Sequence, residues 1–148
     1  MFEIALQKLS APGGVGVLPT DTVYGLVARA HDLAAVKRLY DLKLREGKPG
    51  TIIAASIEQL ENLGLKHRYL KAVEQFWPSS RLSGNPPKAD PASRPLGRDA
   101  PESSLLGWPG AVSVIIPAGP GLSYLHEGKH SLAVRVVADE NLRQLLEQ

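Results

Sequence analysis

A chain of 148 residues with 43% hydrophobic and 22% charged residues is long enough to bury one core and reads as a single globular domain. It contains no cysteine, which excludes disulfides, thiolate zinc sites and a cysteine nucleophile, and its formal net charge is only +2, so a polyanionic partner has to be argued from local clusters of Lys and Arg. No apolar run approaches a membrane span and the N-terminus lacks a signal-peptide pattern, so the expected compartment is the cytoplasm, without membrane contact.

Phe2 to Leu9 carries apolar residues at Ile4, Ala5 and Leu9 and predicts a first helix, closed by Ala11-Pro12-Gly13-Gly14. Val15 to Leu18 is a short apolar run bounded by those glycines and Pro19, and predicts a buried strand. Pro19-Thr20-Asp21-Thr22-Val23-Tyr24-Gly25-Leu26 then reads as a turn that puts Thr20 and Thr22 at the strand's carboxyl end, the usual crevice for ligands in open α/β sheets. Asp32 is placed to cap a second helix through about Leu44, with Leu33, Val36, Leu39 and Tyr40 inward and Lys37, Arg38 and Asp41 toward solvent. This helix delivers Lys43 and Arg45 to its C-terminal end. Thr51 to Ala55 predicts another strand, Ser56 with Gln59 a capping box for a short helix ended by Gly64, and His67 to Phe76 a further helix.

Ser79 to Trp108 breaks the alternation. It holds Pro86, Pro87, Pro91, Pro95 and Pro101 among serines and mixed charges, has almost no apolar periodicity, and reads as a long surface loop or disordered insertion. Phe76-Trp77-Pro78 and Gly107-Trp108-Pro109 bracket it with two copies of a Trp-Pro pair. Beyond it, Val112 to Ile116 predicts a near-continuous apolar strand ended by Pro117, and Pro117 to Lys129 predicts a loop. Ser131 to Val137 predicts a last strand, and Asp139 caps a helix through Leu146. Strands alternating with helices predict an α/β layered domain, although strand order is not readable from the pattern.

The residues themselves leave two chemistries open. Threonine hydroxyls beside Lys43 and Arg45 suit a polyanion meeting a polar substrate, although taken alone such residues more often form a capped β-turn next to an ordinary basic helix C-terminus. Arg135 interrupts an apolar strand and shares a face with Ala133 and Val137, so it either points outward or is buried and paired. His31, His67, His126 and His130 lack metal-ligand spacing, so no metal site is expected among them. Gly13-Gly14-Val15-Gly16 lacks the Walker lysine, and neither Ser123 nor Ser131 sits in a Gly-x-Ser-x-Gly elbow.

Taken in order, PTDTVYGL, Lys43-Leu44-Arg45 with Lys48-Pro49, Trp108-Pro109-Gly110 leading into AVSVIIP, and Ser131-Leu132-Ala133-Val134-Arg135-Val136 resemble the YrdC/Sua5 family of threonylcarbamoyl-AMP synthases. The resemblance covers residues 1 to 78 and 109 to 148. It implies a single YrdC-like domain over 1–148, with 79–108 inserted, built on a twisted open mixed sheet with flanking helices and a concave basic face. It also implies an L-threonylcarbamoyladenylate synthase, a nucleotidyltransferase that joins L-threonine, bicarbonate and ATP, with Mg2+ on the phosphates, for threonylcarbamoyladenosine modification of tRNA. By the same likeness Lys43 and Arg45 are catalytic and, with Lys48 and Ser113, bind ATP, while Thr20, Ser131 and Arg135 bind threonine. The implied macromolecular partners are tRNA or double-stranded RNA and other tRNA-modification proteins.

In the family the helix matching Asn141 to Glu147 leads to another strand and a Ser-x-Asn motif, ahead of which this sequence stops at Gln148. Ser79 to Pro87 resembles the surroundings of that motif, with Arg81 where Asn is expected, and reads either as a relocated piece of the nucleotide site or as a chance match. The alternative to an active enzyme is therefore a catalytically impaired YrdC-like module that holds nucleotide or double-stranded RNA on Lys37, Arg38, Lys43, Arg45 and Lys48.

Overall fold

Local capping chemistry sets most of the element boundaries. In the computed structural model, which describes residues 3–20, 23–44, 47–77 and 112–148, helix α1 (Glu3–Ser10) runs into the turn at Gly13 and Gly14 and then strand β1 (Val15–Pro19). Gly14 is required there because a Cβ would lie 2.1 Å from the Lys8 carbonyl oxygen. Strand β2 (Tyr24–Ala28) returns antiparallel to β1, pairing Val15 with Ala28 and Pro19 with Tyr24. Helix α2 (Leu33–Lys43) opens on Asp32, whose Oδ1 accepts the Ala35 N–H at 3.0 Å, while Oδ2 accepts the Gly13 N–H at 2.7 Å. The same carboxylate thus starts one element and ties down the turn before another.

Strand β3 (Ile52–Ala54) is followed by α3 (Ile57–Leu63), which Ser56 caps through the Gln59 N–H and Gly64 ends at φ 113°. Helix α4 (His67–Val73) tightens into a 3₁₀ turn at Glu74–Phe76. After the undescribed stretch come β4 (Val114–Pro117), a 3₁₀ turn at Pro120–Leu122, the four-residue helix α5 (Ser123–His126), β5 (Ser131–Val136) and α6 (Glu140–Leu146), capped by Asp139. Strand β5 is central: it pairs parallel with β3 and antiparallel with β4, giving the order β3-β5-β4 beside the separate β1-β2 hairpin. The three-stranded sheet is open and mixed with helices flanking it, as the resemblance implied, while the antiparallel hairpin forms a second sheet of its own.

Alternation along β5 separates a core face from an open one. Leu132, Val134 and Val136 are buried, whereas Ser131, Ala133 and Arg135 lie half-buried on the opposite face. The main core gathers those three with Val36, Tyr40, Leu60, Leu70, Trp77, Ile116 and Leu125, and each of the fully buried aliphatic side chains contributes about 1.5–3 kcal/mol. A smaller core of Leu9, Leu18 and Leu145 joins α1, the hairpin and α6.

Several expectations change. The described end of the PTDTVYGL stretch is strand rather than turn alone, because Tyr24 to Ala28 forms β2. Leu33 is 60% exposed instead of facing inward, and Ile115 is 73% exposed because β4 alternates instead of being buried on both faces. Within the expected loop 117–129, Leu122 and Leu125 find core positions, and that burial stabilises the short helical turns that carry them. The proposed insertion, 79–108, lies outside the described residues. Its approaches meet, since the buried Trp77 Nε1–H donates to the Val112 carbonyl at 2.9 Å.

Candidate active site

The antiparallel register of β4 and β5 pairs Val114 with Val134, and continuing it sets Ser113 across from Arg135. There the Arg135 Nε–H donates to Ser113 Oγ at 3.0 Å. On the other side of β5, Arg135 is paired with Ile53 of β3. Two residues that sequence reasoning put in different roles are therefore joined, and a guanidinium is the group whose planar geometry suits a carboxylate or phosphate. Ser131 lies on the same face at the start of the strand, about 13 Å away by the rise of an extended chain. Its hydroxyl donates to the Lys129 carbonyl at 3.4 Å.

Thr20 closes the β1-β2 hairpin. Its hydroxyl donates to the Val23 carbonyl at 2.6 Å and accepts the Val23 N–H at 3.3 Å, while its own N–H bonds to Val23 O at 3.2 Å. The capped-turn reading thus describes the local geometry of this threonine, which stays half-buried at the end of β1. Asp21 and Thr22 lie outside the described residues.

Lys43 is the last residue of α2 and is half-buried; the chain then turns through Leu44, left-handed at φ 49°, whose N–H bonds back to Asp41 O at 3.2 Å. A cation at this position complements the helix C-terminus, and the left-handed cap ends the helix. Arg45 is outside the described residues, and Lys48 is exposed on the connection to β3. Sequence reasoning missed how this connection is held: the Gly50 N–H bonds to the Tyr40 hydroxyl. A Tyr ten residues before a Gly was the only signal, and it is too common to read.

Hydrogen bonding also explains the histidine that is buried. His126 Nδ1 accepts the N–H groups of Gly128 (3.2 Å) and His130 (3.3 Å), and Nε2–H donates to the Gly119 carbonyl at 3.3 Å, so the ring organises the loop before β5. Among the described residues no group of three or more His, Asp or Glu side chains could hold a metal ion. A cleft of about 370 Å³ between the hairpin and β3 is lined by Leu9, Leu18, Val27, Ile53, Leu60 and Leu145 among others, and by none of the candidate polar residues. The Asp32 carboxyl is held below the usual carboxylate range, mainly by the Ala35 N–H and then by the Gly13 N–H. None of the helices formed by the described residues is long and apolar enough to cross a membrane.

The fold and these residues define an α/β domain with an open mixed sheet, whose candidate polar groups are a serine-anchored arginine on one sheet face and lysines at and beyond a helix end. Comparison with known proteins narrows the class. The profile of the Sua5/YciO/YrdC family, described as telomere recombination, matches residues 8–83, just over half of the 148, and the chain belongs to this family. It is 34% identical over 128 residues to a threonylcarbamoyl-AMP synthase of Methylococcus capsulatus, an alignment covering 85% of this chain and 53% of that protein. It is 33% identical to the protein of that name from Stenotrophomonas maltophilia, over 98% of this chain and 66% of the relative. A solved double-alanine variant of Sua5 from Pyrococcus abyssi superposes with a TM-score of 0.59 at 28% identity, over 97% of this chain and 36% of that one. The chain thus spans about half to two thirds of the length of these curated relatives.

Proposed function

We propose that this domain makes threonylcarbamoyl-AMP from L-threonine, bicarbonate and ATP. The similarity to relatives named threonylcarbamoyl-AMP synthase supports this reading, and the structural observation that carries it is the Arg135 guanidinium, anchored by Ser113 on the open face of β5. Arg135 binds the threonine carboxylate, with Ser131 and Thr20 toward the same substrate. Ser113 accepts from Arg135 and keeps its own O–H to donate to the nucleotide. Lys43, Arg45 and Lys48 neutralise the phosphates, and Mg2+ brought in with ATP would add to that neutralisation.

The chemistry asks for positioning and charge neutralisation. The threonine amine adds to bicarbonate and water leaves, giving a carbamate. A carbamate oxygen then attacks the α-phosphorus, the bond to the bridging oxygen breaks, and pyrophosphate leaves. No covalent enzyme intermediate is needed, so cations on the departing phosphates and a fixed carboxylate on threonine are the protein's contribution. The product serves tRNA threonylcarbamoyladenosine synthesis in the cytoplasm, and exposed Lys37 and Arg38 on α2 offer a basic face to RNA or to partner enzymes of that modification.

Pyrophosphate release and calorimetry with MgATP test the reading. Lys43→Ala should weaken ATP binding by about 1.5–3 kcal/mol, the loss of one charge-assisted contact, and leave threonine binding in place. Arg135→Lys should abolish the rise in melting temperature given by threonine while ATP still binds, because a bidentate contact does not survive that exchange. ATP binding by the wild-type chain without any pyrophosphate release would instead select a nucleotide-binding module.

A further inference from the structure

Among the described residues the buried Tyr40 hydroxyl makes two hydrogen bonds that a core tyrosine does not need for packing. It donates to the Leu125 carbonyl at 2.8 Å and accepts the Gly50 N–H at 3.1 Å, and its ring lies against Gly50, where a Cβ would come within 3.7 Å of Cε1. These partners come from two segments far apart in sequence. Gly50 ends the connection that carries Lys48, and Tyr40 itself stands one turn before Lys43 in α2. Leu125 belongs to α5, which leads through the His126-organised loop to Ser131.

We infer that Tyr40 is a positioning residue: its hydroxyl fixes the Lys48 connection to the frame that carries Ser131, so that phosphate and threonine are held against one rigid body. This rests on the function proposed above and adds to it a group that touches neither substrate. Phenylalanine would fill the same space, so only the hydroxyl is at issue. Its removal leaves the Gly50 N–H and the Leu125 carbonyl without these partners, and the connection free to move relative to α2 and α5. Without the bond, the Lys48 ammonium samples a wider volume, and the phosphates lose a preorganised cation.

Tyr40→Phe is the decisive variant, with Val36→Ala as a control that loosens the same helix in the core without touching the connection. Hydrogen exchange should show faster exchange at Gly50 and its neighbours in Tyr40→Phe only. Calorimetry at a temperature where both variants are folded should show MgATP bound about fivefold more weakly by Tyr40→Phe, the usual worth of one hydrogen bond, and unchanged by Val36→Ala. Threonine-induced stabilisation should persist in both. If Tyr40→Phe binds MgATP as the wild type does, or if both variants weaken it equally, Tyr40 is only a packing residue and the inference fails while the proposed function stands. If the wild type itself binds no MgATP, the proposed function falls and this assignment falls with it.

Discussion

Asp32 shows how much one side chain can organise when its acceptors are used in two directions. One oxygen caps α2 and the other accepts from Gly13, and the Arg38 guanidinium closes the same turn by donating to the Gly13 carbonyl at 3.3 Å. Because these N–H bonds lower the folded-state pKa of Asp32, its contribution to stability is present above the unfolded-state pKa, near 4, and is lost as pH falls through the lower folded value. Asp32→Asn keeps a capping oxygen but loses the second acceptor. Denaturant unfolding at pH 7 should show the variant less stable than wild type, and the gap should close as pH is lowered below 4. A gap that stays constant with pH would place the effect in packing instead. At this scale the sequence was most legible where a cap is local: the caps made by Asp32, Ser56, Gly64 and Asp139 join residues within four positions, whereas the second Asp32 bond, to Gly13, spans 19 residues and was not read. The Arg135 to Ser113 bond spans 22 residues and depends on a strand register that no local pattern encodes.

At the level of elements, what the pattern missed was decided by tertiary burial. Strand β2 hid inside a motif dominated by its turn, and α5 hid behind Gly and Pro until Leu122 and Leu125 found a core to enter. Helix α3 is the opposite case, since its capping box and Gly stop mark it in sequence and Leu60 on its inner face is completely buried. Leu60→Ala should cost about 2–5 kcal/mol, as the main core and the wall of the apolar cleft share this side chain. Urea unfolding reads that loss directly; a change below 1 kcal/mol, on the scale seen for exposed sites, would mean that the cleft collapses to fill the space.

For the whole molecule, the α/β class and the order of motifs were legible because they rest on composition and alternation. The arrangement of the two sheets was not, because it depends on contacts between distant segments. The Trp77 to Val112 hydrogen bond bears on the boundary of the proposed insertion: it joins the two approaches inside the described fold. A variant lacking residues 79–109, with Pro78 joined to Gly110, should therefore remain folded and melt within a few degrees of the full chain in circular dichroism. A variant that no longer gives a cooperative melt would show that the removed residues complete the core.

The pairing of Ile52 with Val134 carries a further consequence, for kinetics. The central strand β5 lies in the last fifth of the chain, yet both of its neighbours precede it, so β3 must wait for a partner more than eighty residues downstream. Loop closure over that distance comes before any reward from the sheet, which raises contact order and slows the search for the native state. On the ribosome, β3 emerges long before β5 and stays an unpaired edge in the meantime. The arginine proposed to hold threonine is thus set in place only when β5 docks, so the proposed binding competence waits for the pairing of β3 with β5.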